Sequence, residues 1–112
     1  MTGGPGGRLP THLTVGALLR RVNDAGGIAM VRARGDAQGG AILLLIETRS
    51  GPVRVLERTI GFDGTVSLTD STPADGAESY WRRRRARDPD LWVVELDIPE
   101  AERFAAETIL PN

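Results

Sequence analysis

Five arginines within six residues form the most unusual segment of the sequence, and they could contact an anion. The segment reads YWRRRRAR over residues 80–87, and its arginines are Arg82, Arg83, Arg84, Arg85 and Arg87. Guanidinium groups bind carboxylates and phosphates through pairs of charge-assisted hydrogen bonds. The segment is therefore a candidate anion-binding site, and its partner could be an acidic protein or a phosphate-bearing ligand.

A helical wheel spreads these arginines around a helix instead of aligning them on one side. At about 100° per residue, Arg84 falls on the face of Tyr80 and Trp81, and the other four arginines point in the remaining directions. A helix that reads the major groove of DNA concentrates its contacts on one side. We therefore expect weak or no binding to nucleic acid, with a slope of log K against log salt no steeper than about −3.

The same arginines also have a purely structural explanation, because the segment precedes a predicted helix C-terminus. Cations near that end gain about 0.3–1 kcal/mol each from the backbone dipole. Glu78 and Arg82 have the i,i+4 spacing of a helical ion pair. A structural unit that binds no ligand therefore stays open as an alternative.

Arg84 differs from its neighbours because it shares a face with two aromatic residues. A guanidinium in such a position is costly unless it has a partner. We expect it to stack on Trp81 or to pair with Asp88 or Asp90, which follow the helix. The same geometry could instead hold the phosphate or carboxylate of a ligand.

Three acidic residues after the arginines suggest a second kind of chemistry: Asp88, Asp90 and Glu95. Carboxylate oxygens are suitable ligands for Mg²⁺, so a metal-dependent phosphodiesterase or nuclease-like enzyme is the alternative function, with Arg84 holding phosphate. Such enzymes usually add a lysine, and this chain has none. Glu95 and Asp97 share one face of a predicted strand and are more simply explained as its solvated side. We expect no metal and no cofactor.

Two further features are interpreted structurally. The loop GDAQGG over residues 35–40 lacks the P-loop pattern and precedes a strand, so Gly35 and Asp36 are expected to supply turn geometry. His12 is the only histidine and has no serine elbow or cysteine nearby, so it is expected to be a surface residue.

Composition sets limits on the function. The chain has 112 residues and a net charge of −1, which disfavours a protein that coats nucleic acid. Residues 1–60 contain eight arginines and four acids, whereas residues 61–112 contain six arginines and eleven acids, so the arginine segment lies in the acidic half. Cysteine is absent, and the longest apolar run, AILLLI, is far shorter than the roughly 20 residues that span a bilayer. With no secretory signal in residues 1–10, we expect a cytoplasmic protein without membrane contact.

Periodicity predicts the elements that must position these residues. A helix is predicted over residues 14–25, with Thr14 as its cap and Gly26-Gly27 as its end. The second helix is expected to start with Thr72 as its cap and Pro73 as its first residue, and to end near Asp88, because Pro89 follows. The run AILLLIE predicts a strand covered on both sides. The predicted strands are residues 28–34, 41–47, 53–60, 65–69 and 91–97, and a last short helix follows Pro99.

Three blocks of the sequence carry a family resemblance: ALLRRVNDAGG, VRARGDAQGGAILL and YWRRRRARDPDLWVVELD. In succession they resemble domain-of-unknown-function family 1491, a family of small alphaproteobacterial proteins. The similarity spans about residues 13–97, and the last block is the most specific. The resemblance implies one compact domain and transfers no activity.

Together these observations predict a single α+β domain over residues 11–112, after a flexible segment over residues 1–10. We expect a mainly antiparallel sheet of three to five strands with two main helices, in the order α-β-β-β-(β)-α-β-(α). The predicted function is a non-enzymatic binding or accessory module that turns its arginine-rich helix end toward an anionic partner.

Overall fold

In the computed structural model, which describes residues 9–111, three helices and five strands follow one another in the predicted order. The helices are α1 (Thr11–Asp24), α2 (Ala77–Arg87) and α3 (Ala101–Ile109), and the strands are β1 (Ile28–Ala33), β2 (Ile42–Ile46), β3 (Arg54–Ile60), β4 (Val66–Asp70) and β5 (Trp92–Asp97). Within this range, no helix is long and apolar enough to cross a membrane. The segment predicted to be flexible, residues 1–10, lies outside the described residues except for its last two.

The five strands form one mixed sheet in the order β1-β5-β2-β3-β4. The β5 strand comes last in the chain but lies between β1 and β2, antiparallel to the first and parallel to the second. The other two pairings, β2 with β3 and β3 with β4, are antiparallel. The prediction of a mainly antiparallel sheet in an α+β domain is therefore confirmed.

The sheet has a core on each face, as the apolar pattern of β2 predicts. Leu44 and Ile46 point to the side covered by α1 and α3, whereas Leu43 and Leu45 point to the side where Trp81 of α2 packs. Because successive strand residues alternate between faces, a strand that is apolar at every position needs cover on both. A buried tryptophan thus holds α2 against the sheet. Because the arginines directly follow Trp81 in the helix, this contact sets the direction in which each of them points.

The first helix begins three residues earlier than predicted, so the assignment of Thr14 as its cap is wrong. Thr11 begins the helix, and Thr14 is buried within it. The backbone N–H groups of Thr11 and His12 donate to the carbonyl oxygens of Gln38 and Ala37, at 3.1 and 2.9 Å. A tertiary contact with the loop over residues 35–40 thus satisfies the first amides of α1, which a local cap would otherwise have to do.

The helix ends follow local chemistry more closely. Gly26 has a φ of 93°, and the Gly27 N–H donates to the Val22 carbonyl at 3.0 Å, so the predicted glycine termination of α1 is confirmed. The helix α2 ends at Arg87, before Pro89, also as predicted. Its start at Thr72 is wrong, because the Thr72 hydroxyl accepts the Val55 N–H at 2.8 Å and the helix begins only at Ala77.

Candidate anion-binding site

Two arginines of the run pair with acids at the surface. Arg82 Nη2 lies 2.6 Å from Glu78 Oε2, which confirms the predicted i,i+4 pair, and Arg83 Nη1 lies 3.4 Å from Asp75 Oδ2. The two arginine side chains are 64% and 53% exposed. Exposed pairs of this kind contribute at most about 1 kcal/mol each, so they anchor the two side chains only weakly.

Arg85 closes the C-terminal end of α2. Its Nη1 donates to the carbonyl oxygens of Leu91 at 3.0 Å and Arg34 at 3.1 Å, and also to that of Pro89. These bonds connect the helix end to the segments beside β1 and β5. Arg87, by contrast, forms no ion pair or hydrogen bond with any residue from 9 to 111. The run therefore contains arginines that bond to the fold and one, Arg87, whose guanidinium has no such bond in the described chain.

Arg84 lies in a hydrogen-bonded network centred on Glu57 of β3. Arg84 Nη1 is 2.5 Å from Glu57 Oε1 and donates to the Tyr80 hydroxyl at 3.0 Å. The other carboxylate oxygen of Glu57 accepts from Tyr80 at 2.8 Å and from the Ser71 hydroxyl at 2.6 Å. Only 15% of the Glu57 side chain and 29% of the Arg84 side chain are exposed. This is the most enclosed ion pair of the described chain.

The predicted pairing of Arg84 is thus right in kind and wrong in partner. Asp88 and Asp90 lie beyond the helix end, where Asp88 Oδ1 accepts the Asp90 N–H at 3.2 Å. The expected stacking on Trp81 is also wrong, because Arg84 lies over the Tyr80 ring instead, at 5.8 Å from its centroid. Arg84 points toward β3 because α2 packs across that strand.

The Glu57 carboxylate is held in its charged form. Burial alone would raise its pKa, but hydrogen bonds from Ser71, Tyr80 and Arg84, together with the positive charge of Arg84, outweigh it and lower the pKa below its ordinary value. Burial also opposes the charge on Arg84, yet the bonds to Glu57 and Tyr80 leave its pKa raised. Both groups are therefore ionised at neutral pH, and the position of the guanidinium is fixed electrostatically.

This lowered pKa predicts how stability depends on pH. A carboxyl whose pKa is lower in the folded state stabilises the fold above its unfolded pKa, near 4.5 for Glu57, and this stabilisation is lost as the pH falls through the folded value. We expect Glu57→Gln to flatten the fall of stability below pH 4.5. Urea unfolding midpoints measured from pH 7 to pH 3 give this slope.

Glu47 provides a control, because its pKa is shifted in the opposite direction to that of Glu57. Its pKa is raised by burial and by the nearby carboxylates of Glu95 and Asp97. Such a group binds its proton more readily when folded, so Glu47→Gln should make the fall of stability at low pH steeper. Parallel pH profiles for wild type and Glu57→Gln would contradict the role assigned to Glu57.

A cavity of about 230 Å³ opens beside the Arg84 network. Its walls come from the beginning of α1, the Gly39-Gly40 stretch, the first residue of β2, the end of α3, and three charged residues. Those charged residues are Glu57, Arg58 and Arg84. Among the described residues, two arginines from different elements and one glutamate therefore line the same cavity.

Some hydrogen-bond donors around the cavity already have acceptors within the protein, and others do not. The N–H groups of Gly39 and Gly40 donate to Asp36, at 2.8 Å to its Oδ2 and 3.3 Å to its carbonyl, and the Thr11 hydroxyl donates to the Gly40 carbonyl at 2.8 Å. Asp36 thus supplies turn geometry as predicted, and the loop is not a phosphate loop. Arg84, however, uses only Nη1, since its Nε and Nη2 form no hydrogen bond to any residue that the structure describes.

The acids of the alternative enzyme site do not converge, so that predicted site is wrong. Glu95 follows Asp90 by five residues of mostly extended chain, roughly 16 Å at about 3.3 Å per residue. Glu95 Oε1 is instead 2.7 Å from Arg32 Nη1. Among residues 9–111 no group of three or more acidic, histidine or cysteine side chains could hold a metal ion. His12 is exposed, as predicted, with its Nδ1 3.0 Å from the Ala37 carbonyl oxygen.

The sequence-based site omits Glu57 and Arg58, although the pattern of β3 contains a clue. In VRVLERTI, Glu57 alternates onto the same face as Val53 and Val55, and Val55 is fully buried. A carboxylate on a covered face needs a partner, so the pattern could have indicated an ion pair. It could not have identified Arg84, which lies 27 residues away.

Comparisons with known proteins agree with this fold. The family model described as "Protein of unknown function (DUF1491)" matches residues 9–106. A crystal structure of a DUF1491 family protein from Caulobacter crescentus CB15 is 31% identical, with a TM-score of 0.75 over 87% of this chain and 94% of that one. An NMR structure of a DUF1491 family protein from the same organism is 33% identical, with a TM-score of 0.70 over 86% and 91% of the chains. The solution structure of Atu0922 from A. tumefaciens is 29% identical, with a TM-score of 0.67 over 83% and 88%. No curated protein matches the chain.

Proposed function

The chain belongs to the DUF1491 family, a family of unknown function, and we propose that it is a non-enzymatic module that binds an anion at the Arg84 end of α2. One observation carries the proposal. The Nε and Nη2 groups of Arg84 have no partner among residues 9–111, and Arg84 is one of the residues that line the cavity. That edge of a guanidinium can donate two parallel hydrogen bonds to two oxygens of one anion.

The network around Arg84 supports this proposal because it prepares the side chain for a ligand. Glu57 and Tyr80 hold Nη1 at 2.5 and 3.0 Å, so the guanidinium plane is fixed before any ligand arrives. A fixed side chain loses less conformational entropy on binding. A purely structural ion pair would need only this contact, whereas Arg84 also lines a cavity and has two nitrogen atoms without a partner in the described chain.

Positive charge surrounds the proposed site. Arg58 lines the same cavity, and Arg87 lies one turn beyond Arg84 with no partner of its own in the described chain. In the same proposal, the remaining arginines of the run, Arg82, Arg83 and Arg85, contribute to the local field that attracts anions. The cytoplasmic location predicted from the sequence remains part of the proposal.

Calorimetric titration of the full chain with acetate, benzoate, sulfate and inorganic phosphate tests the proposal. We expect at least one of these anions to bind saturably with one site per chain. Arg84→Lys should weaken that binding at least tenfold, because lysine can keep the contact with Glu57 but has no fork of two parallel donors. Arg58→Gln should weaken it as well, through the loss of charge.

Arg83→Gln is the matched control, since Arg83 belongs to the same run but pairs only with exposed Asp75. This variant should lose far less affinity than Arg84→Lys, because it removes only an exposed charge whose field is screened by salt. The thermal unfolding midpoint of each variant shows whether it is folded. Absence of saturable binding by every anion, or equal losses in Arg83→Gln and Arg84→Lys, would contradict the proposed function and favour a structural unit without a ligand.

A further inference from the structure

The sheet has an exposed apolar edge, and we infer that a second copy of this chain pairs with it. This edge is β1, which has β5 on one side and no strand of the described chain on the other. Three of the seven large apolar side chains exposed within residues 9–111 lie close together in β1: Ile28 at 60%, Met30 at 48% and Val31 at 38%. The inference is independent of the proposed anion site, because β1 contributes no residue to that cavity.

The other edge of the sheet lacks this character. It is β4, with the sequence VSLTD, and none of its residues is among the exposed large apolar side chains. Edge strands are usually blunted by charges, prolines or bulges, because their unpaired backbone groups otherwise recruit another strand. The strand β1 has such features only in its second half, where Arg32 lies and a bulge falls between Val31 and Ala33. Residues 28–31 have neither a charge nor a bulge.

The pairing of β5 shows which backbone groups of β1 point outward. The Leu96 carbonyl accepts the Glu47 N–H at 3.0 Å, so this residue faces the β2 side and its partner on β1, Ala29, faces away from β5. Val31 faces the same way, because strand residues alternate. The Ala29 N–H donates to Asn23 Oδ1 at 3.1 Å. The Ala29 carbonyl and both backbone groups of Val31 are therefore available to a further strand.

Charge complementarity favours a second copy of the chain as that strand. Asp24 at the end of α1 and Asp97 at the end of β5 lie near the start of β1, and neither forms an ion pair with residues 9–111. Arg34, just beyond the other end of β1, likewise has no ion pair within that range. Arg32 does not enter this balance, since it already pairs with Glu95. Two antiparallel copies place the acidic start of one β1 near the basic end of the other, where unpaired charges of opposite sign meet.

A two-fold axis through Met30 gives the register of this pairing. The Met30 backbone faces β5, so the two copies of Met30 form a non-hydrogen-bonded pair with Cα atoms about 4.5 Å apart. Val31 of each copy lies opposite Ala29 of the other, and its N–H donates to that Ala29 carbonyl. An isologous interface must be complementary to itself, a condition that an apolar patch meets. The two five-stranded sheets thereby become one continuous sheet.

Sedimentation velocity of the full chain over a range of concentrations tests the inference. Pairing of a short edge strand buries less than the roughly 1,200 Å² of standard interfaces, so we expect a reversible equilibrium between single chains and dimers. Met30→Lys should raise the dimer dissociation constant about tenfold or more, because it places two like charges opposite each other at the axis. Leu13→Lys is the matched control, since Leu13 is also 48% exposed but lies on α1, and it should dimerise like wild type.

Val31→Pro provides a second variant that adds no charge. Proline lacks an N–H and is tolerated on an edge strand where that N–H points outward. The substitution removes the Val31 donor without breaking a bond to β5, so dimers should be lost at concentrations where wild type forms them. The thermal unfolding midpoint of each variant shows that it is folded.

A cysteine variant locates the axis, because the chain contains no cysteine of its own. In Met30→Cys, the two thiols face each other across a pair whose Cα separation suits a disulfide. With oxidised glutathione as the oxidant, we expect covalent dimers to form about tenfold faster or more than with Leu13→Cys, whose thiols meet only by random collision.

Three results would overturn the inference. One is the mass of a single chain at every concentration up to the solubility limit. Another is a dimer that persists in both Met30→Lys and Val31→Pro, which would show that the copies meet through a different surface. The third is equal cross-linking of the Met30 and Leu13 cysteine variants. Anion binding at Arg84 is affected by none of these results.

Discussion

Gly40→Ala is expected to lower the free energy of unfolding by about 3 kcal/mol. A Cβ atom at Gly40 would lie 2.0 Å from the carbonyl oxygen of Asp90 and 3.1 Å from the backbone nitrogen of Asp36. Both are backbone atoms, which cannot rotate away as a flexible side chain would. Overpacking of this kind usually costs about 1–3 kcal/mol, and the short distance places Gly40 at the upper end. Urea unfolding of the variant and wild type measures the difference.

The neighbouring glycines provide the comparison. Gly35→Ala should be similarly destabilising, since its Cβ would lie 2.1 Å from the same carbonyl oxygen of Asp90. Gly39→Ala is the control, because its nearest neighbour, Asp36 Oδ2, would be 3.9 Å away, and we expect a change within about 0.5 kcal/mol. Equal midpoints for the Gly39 and Gly40 variants would show that the loop does not pack against Asp90 as described.

This close approach explains why the loop over residues 35–40 and the segment DPDLW belong together. The Asp36 N–H donates to the Asp90 carbonyl at 3.0 Å, and the Trp92 indole N–H donates to the Asp36 carbonyl at 2.8 Å. The Gly40 carbonyl in turn accepts the Thr11 hydroxyl. The loop therefore links β5 to the beginning of α1 and forms one wall of the cavity. Its glycines serve packing, not phosphate binding.

The sequence predicts the types of the helices and strands better than it predicts which of them lie side by side. The unbroken apolar run of β2 and the helical periodicity of α1 predict the correct element types. They do so because burial of one or both faces fixes which positions of the segment are apolar. The insertion of β5 between β1 and β2 has no such pattern, since both of its pairings join segments far apart in the chain. The predicted starts of α1 and α2 fail for a related reason: tertiary contacts satisfy the first amides of α1, and the Thr72 hydroxyl accepts the Val55 N–H instead of capping α2.

The candidate site shows the same division. The helical wheel places Arg84 beside Tyr80, and from this the need for a partner follows. The partner itself, Glu57, depends on how α2 crosses β3, which local sequence does not specify. The cavity is less predictable still, because its walls come from all three helices, from β2 and β3, and from the stretch before β2. Arg58 becomes a site residue only when α1 and α3 are packed on the opposite side from α2.

Arg84→Ala is expected to lower the free energy of unfolding by about 2–3 kcal/mol, whereas Arg83→Ala and Arg87→Ala should each change it by about 0.5 kcal/mol or less. Removing one member of a buried ion pair costs about 3–5 kcal/mol, because the other charge is left without compensation. Glu57 keeps its bonds from Ser71 and Tyr80, and Arg84 is 29% exposed, so the expected cost lies below that range. Urea unfolding at pH 7 compares the three variants.

A double-mutant cycle with Glu57→Ala shows whether this cost comes from the pair itself. If the two side chains stabilise the fold through each other, removing Arg84 should matter far less once Glu57 is absent, with a coupling energy of about 1–2 kcal/mol. Additive effects of the two substitutions would mean that Arg84 stabilises the fold by packing on Tyr80 and not by pairing with Glu57. Equal unfolding midpoints for the Arg84, Arg83 and Arg87 variants would remove the distinction on which the candidate site depends, because Arg84 would then be one more exposed arginine of the run.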